Sequence, residues 1–154
     1  MVMPVAYLWL KDEQGNDVYG PVTAASFEGA IEVLDFSLSV QMPIDDKTGQ
    51  PTGVSKHRGV KIVKAVDASS SYLFDVCQQG LTLQEVTLRL YKMNALNQQV
   101  EYCRYIFGGV RIILFTPEAS SDQQSREALV FRYNKVTHMF IDGDTTHAES
   151  WSEE

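Results

Sequence analysis

Cysteine and histidine are scarce in this chain, which has two cysteines and three histidines among 154 residues. Cys77 and Cys103 belong to no CxxC pair, and His57, His138 and His147 form neither an HExxH nor a His-x-His motif. The usual signatures of zinc binding and thiol redox chemistry are therefore missing. Two cysteines with core-like neighbours favour a protein that folds with reduced thiols. We expect no metal and no cofactor.

Basic charge is also in short supply, with 13 Lys and Arg against 20 Asp and Glu and a formal net charge of −7. The basic residues are scattered along the chain, and the densest group is Lys56-His57-Arg58. A nucleic-acid-binding protein needs clustered Lys and Arg to displace counterions from phosphates, and binding to an anionic membrane surface needs the same. The sequence therefore predicts neither nucleic acid nor an anionic membrane as a partner.

A long hydrophobic run is missing as well. The first ten residues are mostly apolar, but no Lys or Arg precedes them, Pro4 interrupts them, and Lys11-Asp12-Glu13 ends them. A secretory signal needs a positive start, an apolar run and a small-residue cleavage site, and a membrane-spanning helix needs about 20 apolar residues. We expect neither a cleavable signal peptide nor membrane insertion.

Motifs of catalysis are absent from the sequence. It has no GxSxG elbow, and its glycine-rich stretch 49–56 has the wrong glycine spacing and the wrong order of Ser and Lys for a phosphate-binding loop. Acidic pairs such as Asp45-Asp46 fall in a loop, where solvated charge is the ordinary state. We expect a protein that is not an enzyme; a hydrolase built from distant residues is the alternative.

What the sequence has in abundance is β-strand pattern. Val5, Tyr7 and Trp9 alternate with Ala6, Leu8 and Leu10, so the first predicted strand is apolar on both faces. One face suits the core, and the other needs a second partner. A change of buried face or a bulge is expected near Val33, since Ile31 and Val33 have the opposite parity to the run that follows. Further strands are predicted at residues 31–40, 60–66, 83–93, 100–107, 110–115 and 128–141, with a short final run ending at Trp151.

One helix and one long loop interrupt the strands. The stripe of Tyr72, Leu73, Val76 and Cys77 predicts a helix over about 69–79, which Gly80 is placed to end. Pro and Gly residues predict a long loop over about 41–59, and Ser, Asp and Gln predict an exposed loop over 117–126. The predicted fold is mainly β: a small antiparallel barrel or sandwich with one helix, formed by a single domain of residues 1–154.

A colinear set of segments resembles the Hcp family, the haemolysin-coregulated proteins of bacterial type VI secretion systems. The quoted segments are Met3-Pro4 with Ala6-Tyr7-Leu8-Trp9-Leu10, Gly29-Ala-Ile-Glu-Val-Leu-Asp-Phe36, Lys64-Ala-Val-Asp67 before the helix, Gln99-Val-Glu-Tyr102, and Phe140-Ile-Asp-Gly-Asp144 with Glu149-Ser-Trp151. The resemblance covers nearly the whole chain in order. The start departs from it, because Val2-Met3-Pro4 replaces the commoner small residue before Ile-Pro.

The resemblance implies a tube subunit without enzymatic activity. Six copies would form a ring, and rings would stack into a hollow tube that a contractile sheath propels with a VgrG spike at its tip. The lumen would carry small effectors. The protein would be cytoplasmic before firing and extracellular afterwards, without a cleavable signal. The alternative function, from a different class, is a monomeric β-barrel module that binds a small ligand.

Three groups of residues are predicted to serve assembly. Tyr7, Trp9 and Trp151 are candidates for a subunit interface, with the core as the alternative place for Tyr7 and Trp9. Ser37 and Ser39, opposite the apolar parity of their strand, are candidates for the lumen wall, with the outer wall as the alternative. The long loop is the candidate for contact between rings or with the sheath, through Asp45, Asp46, Lys47, Lys56 and His57.

Overall fold

The computed structural model describes residues 4–143 and 145–153, so Met3 and Asp144 of the quoted segments lie outside the described residues. The elements run in the order β1 Ala6–Lys11, β2 Asp17–Val18, β3 Ile31–Val33, β4 Asp35–Gln41, β5 Lys56–Ala65, α1 Ser70–Gln79, β6 Leu83–Met93, β7 Gln99–Ser120, β8 Gln123–Arg132, β9 Lys135–Asp142 and β10 Thr145–Ser152. The mainly β prediction with one helix is confirmed.

The strands form two antiparallel layers that share β7. The first half of β7 pairs with β6 and β9, in a layer that continues to β1, β2 and β3 on one side and to β10 on the other. We call this layer sheet A. The second half of β7 pairs with β8, which pairs with β5, which pairs with β4. We call this four-stranded layer sheet B. The 22-residue length of β7 allows one strand to serve both layers.

The core lies between the two sheets, and α1 covers part of it. Several core side chains of the strands are at most 2 % exposed, as in Leu8, Ile62, Phe107 and Leu129. The helix adds the buried side chains of Leu73 and Val76. Full burial of one such side chain contributes about 1.5–3 kcal/mol. The helix ends at Gly80, whose φ of 65° is the left-handed conformation of a helix C-terminus. Among the described residues, no helix has the length and apolar character that crossing a membrane requires.

The expected change near Val33 is a change of sheet. Residues of β3 pair with β1 in sheet A, whereas β4 pairs with β5 in sheet B. Leu34 lies between them and donates its N–H to the carbonyl of Val63 at 2.7 Å. The reversal of parity therefore reflects two successive strands whose buried faces belong to opposite layers.

Several predicted boundaries are wrong. The long loop covers only residues 42–55, because Gln41 pairs with Lys56 and Val40 with His57; both Lys56 and His57 belong to β5. The predicted loop at 117–126 is a hairpin arm of β7 and β8 with a turn at 121–122. Both faces of this arm are solvated, so its sequence lacks the alternation of apolar and polar residues by which a half-buried strand is recognised. The strands predicted at 100–107 and 110–115 are one, and the strand at 128–141 is two.

Candidate assembly surfaces

Sheet B presents one face to the core and the other to solvent. Along β4, Phe36 and Leu38 are half-buried whereas Ser37 and Ser39 are exposed. The same alternation continues in β5 and β8, where buried and more exposed residues follow each other. Ser37 and Ser39 therefore lie on the outward face, as their parity predicts.

Within residues 4–143 and 145–153, sheet B also has two free edges. Strand β4 pairs with β5 alone, and residues 111–120 of β7 pair with β8 alone. Near these edges Val40, Ile113 and Leu114 are 51–55 % exposed, which is unusual for large apolar side chains of strands. Unpaired backbone groups next to exposed apolar side chains are the ordinary template for pairing with another strand.

The second apolar face of β1 is covered by its own chain. Tyr7 is 8 % exposed, and its ring stacks on Phe27 with ring centres 4.0 Å apart. Trp9 is half-buried and donates its Nε1–H to the Glu28 carbonyl at 3.1 Å, while Arg89 lies 4.7 Å from the centre of its ring. Burial raises the pKa of the Tyr7 phenol. The segment before β3 is thus the second partner that the sequence required, and Trp9 keeps part of its surface exposed.

Trp151 belongs to an aromatic cluster that ties β10 to sheet B. Its ring stacks on His57 with centres 3.6 Å apart and meets Tyr133 edge-on at 5.9 Å. His57 Nδ1 lies 2.5 Å from the Tyr133 hydroxyl. Burial lowers the pKa of His57 and raises the pKa of Tyr133 to about 12. At neutral pH both groups are therefore uncharged, and the tyrosine hydroxyl can donate to the imidazole. His57 was expected in the loop because the sequence pattern predicts this strand to begin at Val60, whereas β5 begins four residues earlier, at Lys56.

Beside this cluster, an open cleft of about 280 Å³ separates β4 from β10. Its walls include Leu38, Val40, Tyr105, Val136 and Trp151. The space enclosed between the sheets is much smaller, about 10 Å³, which is the volume of roughly one water molecule. This space between the sheets is therefore too small for a ligand.

The loop of residues 42–55 has a defined conformation. The Asp45 carboxylate accepts the N–H groups of Lys47 and Thr48 at 2.8 and 3.0 Å, and these bonds lower its pKa. The neighbouring Asp46 is exposed. Among the loop's apolar side chains, Val54 is 81 % exposed. Because the loop is already ordered, it would lose little conformational entropy when a partner binds its apolar side chains.

A buried ionic network joins β5, β8 and the start of α1. Lys64 is 0 % exposed and Glu127 is 2 % exposed; they face each other across the two strands and form an ion pair. Lys64 Nζ also lies 3.2 Å from Asp67 Oδ1, and the Ser70 hydroxyl donates to Glu127 at 2.6 Å. The sequence predictions did not include a buried ionic network. The position of Lys64 could have indicated it, because Lys64 continues the alternating buried series of Val60 and Ile62.

The described residues contain one close pair of cysteine and histidine. Cys103 Sγ lies 3.5 Å from His138 Nε2. The thiol is buried, and burial raises its pKa, so it lacks the thiolate character that a nucleophile needs. Within residues 4–143 and 145–153, no three His, Cys, Asp or Glu side chains are placed to hold a metal ion.

The family model described as "Type VI secretion system effector, Hcp" matches residues 7–140. The chain belongs to the Hcp family. The Hcp1 protein of the E. coli EAEC 042 pathovar is 34 % identical and superposes with a TM-score of 0.83, covering 97 % of this chain and 99 % of that one. The "Major exported protein" of Pseudomonas aeruginosa PAO1 is 25 % identical over 143 residues, 88 % of this chain and 83 % of the relative.

A more distant Hcp structure shows that the fold survives large sequence change. The secreted protein Hcp3 of Pseudomonas aeruginosa is 18 % identical, and it superposes with a TM-score of 0.74 over 96 % of this chain and 98 % of that one. The family assignment makes this chain a type VI secretion protein. Its β-rich Hcp fold is confirmed by these neighbours.

Proposed function

We propose that this Hcp protein is the subunit of a hexameric ring, and that its rings stack into the tube of a type VI secretion system. The observation that carries the proposal is the pair of free edges on sheet B. The edges are different strands, β4 and the second half of β7. A contact between two different surfaces of identical subunits is head-to-tail, and such contacts close into rings when the rotation permits.

In this proposal β4 of one subunit approaches residues 111–120 of the next, and sheet B continues around the ring. Pairing of the edges would satisfy their free backbone groups and cover Val40 and Ile113, which are otherwise exposed. The outward face of sheet B, with Ser37 and Ser39, would then form the wall of the lumen. Trp9, whose ring is only half-buried by its own chain, and Trp151 remain candidates for further contacts at the subunit interface.

The remaining parts of the proposal follow the family resemblance. The stacked tube would carry a VgrG spike at its tip, be enclosed by a contractile sheath and hold small effectors in its lumen. The protein would reside in the cytoplasm until the system fires, and would then leave the cell as part of the machine. It would serve as a structural protein and not as an enzyme.

Native mass spectrometry tests the ring directly. A hexamer has six times the 17.3 kDa mass of one chain, whereas the alternative function, a monomeric ligand-binding barrel, has the mass of one. The small size of the cavity between the sheets, about 10 Å³, favours the ring, because a ligand-binding barrel would need a larger space there. A single-chain mass at micromolar concentration would contradict the proposal.

Cysteine labelling tests the lumen wall. In a Cys77→Ser background, which leaves the buried Cys103, we expect Ser37→Cys to react with a small maleimide but not with a maleimide on a polymer wider than the lumen. Leu96→Cys, at the exposed turn between β6 and β7, is the control and should react with both reagents. Labelling of Ser37→Cys by the wide polymer in an intact ring would place this face outside.

Shortening the loop of residues 42–55 tests ring stacking. We propose that Asp45, Asp46, Lys47 and the loop's apolar side chains contact the neighbouring ring or the sheath. Lys56 and His57 belong to β5 and lie at the base of this loop, so in this proposal they only support it. Deletion of residues 46–49 is expected to leave the hexamer mass unchanged and to reduce tube formation in sedimentation. Loss of the hexamer itself would contradict a role limited to stacking.

A further inference from the structure

The outward face of sheet B is basic although the chain as a whole is acidic. Strand pairing and the alternation of burial place six basic side chains on this face but only two acidic ones, Asp35 and Glu118. The formal charge of the face is therefore +4, in a chain whose net charge is −7; the rest of the chain carries −11. The basic residues are Lys56, Arg58, Lys61, Arg111, Arg126 and Arg132. We call this surface the basic face.

In the part of the chain that the structure describes, none of these basic side chains forms an ion pair, although Glu118 lies opposite Arg126 in the ladder of β7 and β8. Among the described residues, the ion pairs involve Lys11, Lys64 and Arg104, none of which lies on the basic face. Arg58 donates to the side-chain amide oxygen of Gln41 and Arg111 donates to the Thr82 hydroxyl, both of them neutral groups. The capacity of the face for a negatively charged ligand is therefore unused.

Repulsion within the basic face is expected between two of its arginines. Arg111 and Arg132 occupy directly opposite positions of β7 and β8, where like charges repel and destabilise a sheet.

The centre of the basic face is apolar. Val63, Ala128, Val130 and Leu114 lie on it between the basic ends, and Leu114 is 53 % exposed. No aromatic side chain among the described strand residues of sheet B points outward, so the stacking platforms that bind single-stranded nucleic acid are missing. An apolar centre with a basic surround fits a polypeptide that carries both carboxylates and apolar side chains.

We propose that the basic face binds acidic polypeptide segments, and that in the assembled tube it selects acidic proteins as cargo. The second half of this statement rests on the proposed function, since only a ring turns the face into a lumen. Copies of the face around a ring would add their potentials, and a concave wall with low-dielectric sides concentrates such a field. The selectivity is for the charge of the cargo, with apolar contacts at the centre of the face adding affinity.

Fluorescence anisotropy with a labelled peptide of Glu and Leu residues tests the proposal. We expect binding that weakens as salt is raised, because exposed charges are screened. The double variant Lys61→Glu/Arg132→Glu is expected to bind about ten-fold more weakly or worse. The matched control Lys92→Glu/Lys135→Glu makes the same change of net charge on exposed residues of sheet A and should bind like the parent protein. A labelled peptide of Lys and Leu should not bind.

The native mass of each variant, recorded in parallel, separates this proposal from the ring. If the parent ring is intact and the acidic peptide does not bind, the cargo proposal is wrong and the ring stands. If the peptide binds a protein with the mass of one chain, the ring is wrong and the basic face stands. Tighter binding of a labelled single-stranded DNA than of the acidic peptide, or equal loss of peptide binding in both double variants, would overturn the assignment of a polypeptide to this face.

Discussion

Replacement of Glu127 by alanine is expected to lower the free energy of unfolding by about 3–5 kcal/mol. The change leaves the ammonium group of Lys64, which is 0 % exposed, without its carboxylate partner on the neighbouring strand. It also removes the acceptor of the Ser70 hydroxyl at the start of α1. Breaking one side of a buried pair costs far more than the pair contributes, because the remaining charge stays desolvated. Denaturant unfolding at one fixed protein concentration measures the effect.

The control for this variant is Glu118→Ala. Glu118 occupies the same strand pairing one row away but is exposed, so its loss should change the free energy of unfolding by about 0.5 kcal/mol or less. The double variant Lys64→Met/Glu127→Leu is expected to recover much of the loss, because it removes both charges and keeps the volume. A cost below about 1 kcal/mol for Glu127→Ala would show that Asp67, 3.2 Å from Lys64 Nζ, or water replaces the lost carboxylate.

Replacement of Ile113 by lysine is expected to abolish the ring. Ile113 is 55 % exposed on the free edge of β7, so the isolated subunit should lose about 0.5 kcal/mol or less. In the ring the same side chain would lie at an interface that repeats around the assembly. Ile113 is 55 % exposed in the single chain, so each contact would lose about half of the 1.5–3 kcal/mol of a full burial, roughly 1–1.5 kcal/mol. The lysine charge would have to be desolvated in addition, and the loss repeats at every contact of a closed ring.

Native mass spectrometry checks this prediction with Leu96→Lys as the matched control. Leu96 is 77 % exposed but lies at the turn between β6 and β7, away from both edges of sheet B. We expect Leu96→Lys to keep the mass of the parent assembly and Ile113→Lys to give single chains with unchanged circular dichroism. A hexamer of Ile113→Lys would mean that the subunits meet through another surface, with Trp9 and Trp151 as the next candidates.

Local pattern was sufficient for much of the fold. The apolar stripe with Gly80 behind it located α1 to within a residue, and the strand predicted at 83–93 has the observed bounds of β6. Parity indicated a bulge or a change of buried face near Val33, and the structure shows there a change of sheet. These features depend on neighbours in the chain, which is why the sequence contained them.

The errors arose where pairing, not pattern, decides the structure. The arm at the end of β7 and β8 is held by its ladder, as in the pairing of Glu118 with Arg126, and its solvated faces carry no apolar alternation. The start of β5 was missed because Lys56 and His57 become strand residues only through their partners on β4. Among the candidates for assembly, the parity of Ser37 was readable, whereas the cover of Tyr7 by Phe27 required a contact between segments twenty positions apart.

The sequence by itself determined that this chain is a β-rich domain with one helix, resembles the Hcp family and has no cluster of basic residues along its length. Only the tertiary structure decided where the basic residues lie. Arg58, Lys61, Arg111, Arg126 and Arg132 belong to three different strands, and antiparallel pairing brings those strands side by side while the register turns these side chains to one face. A sequence lists charges in one dimension, whereas a sheet sums them over a surface.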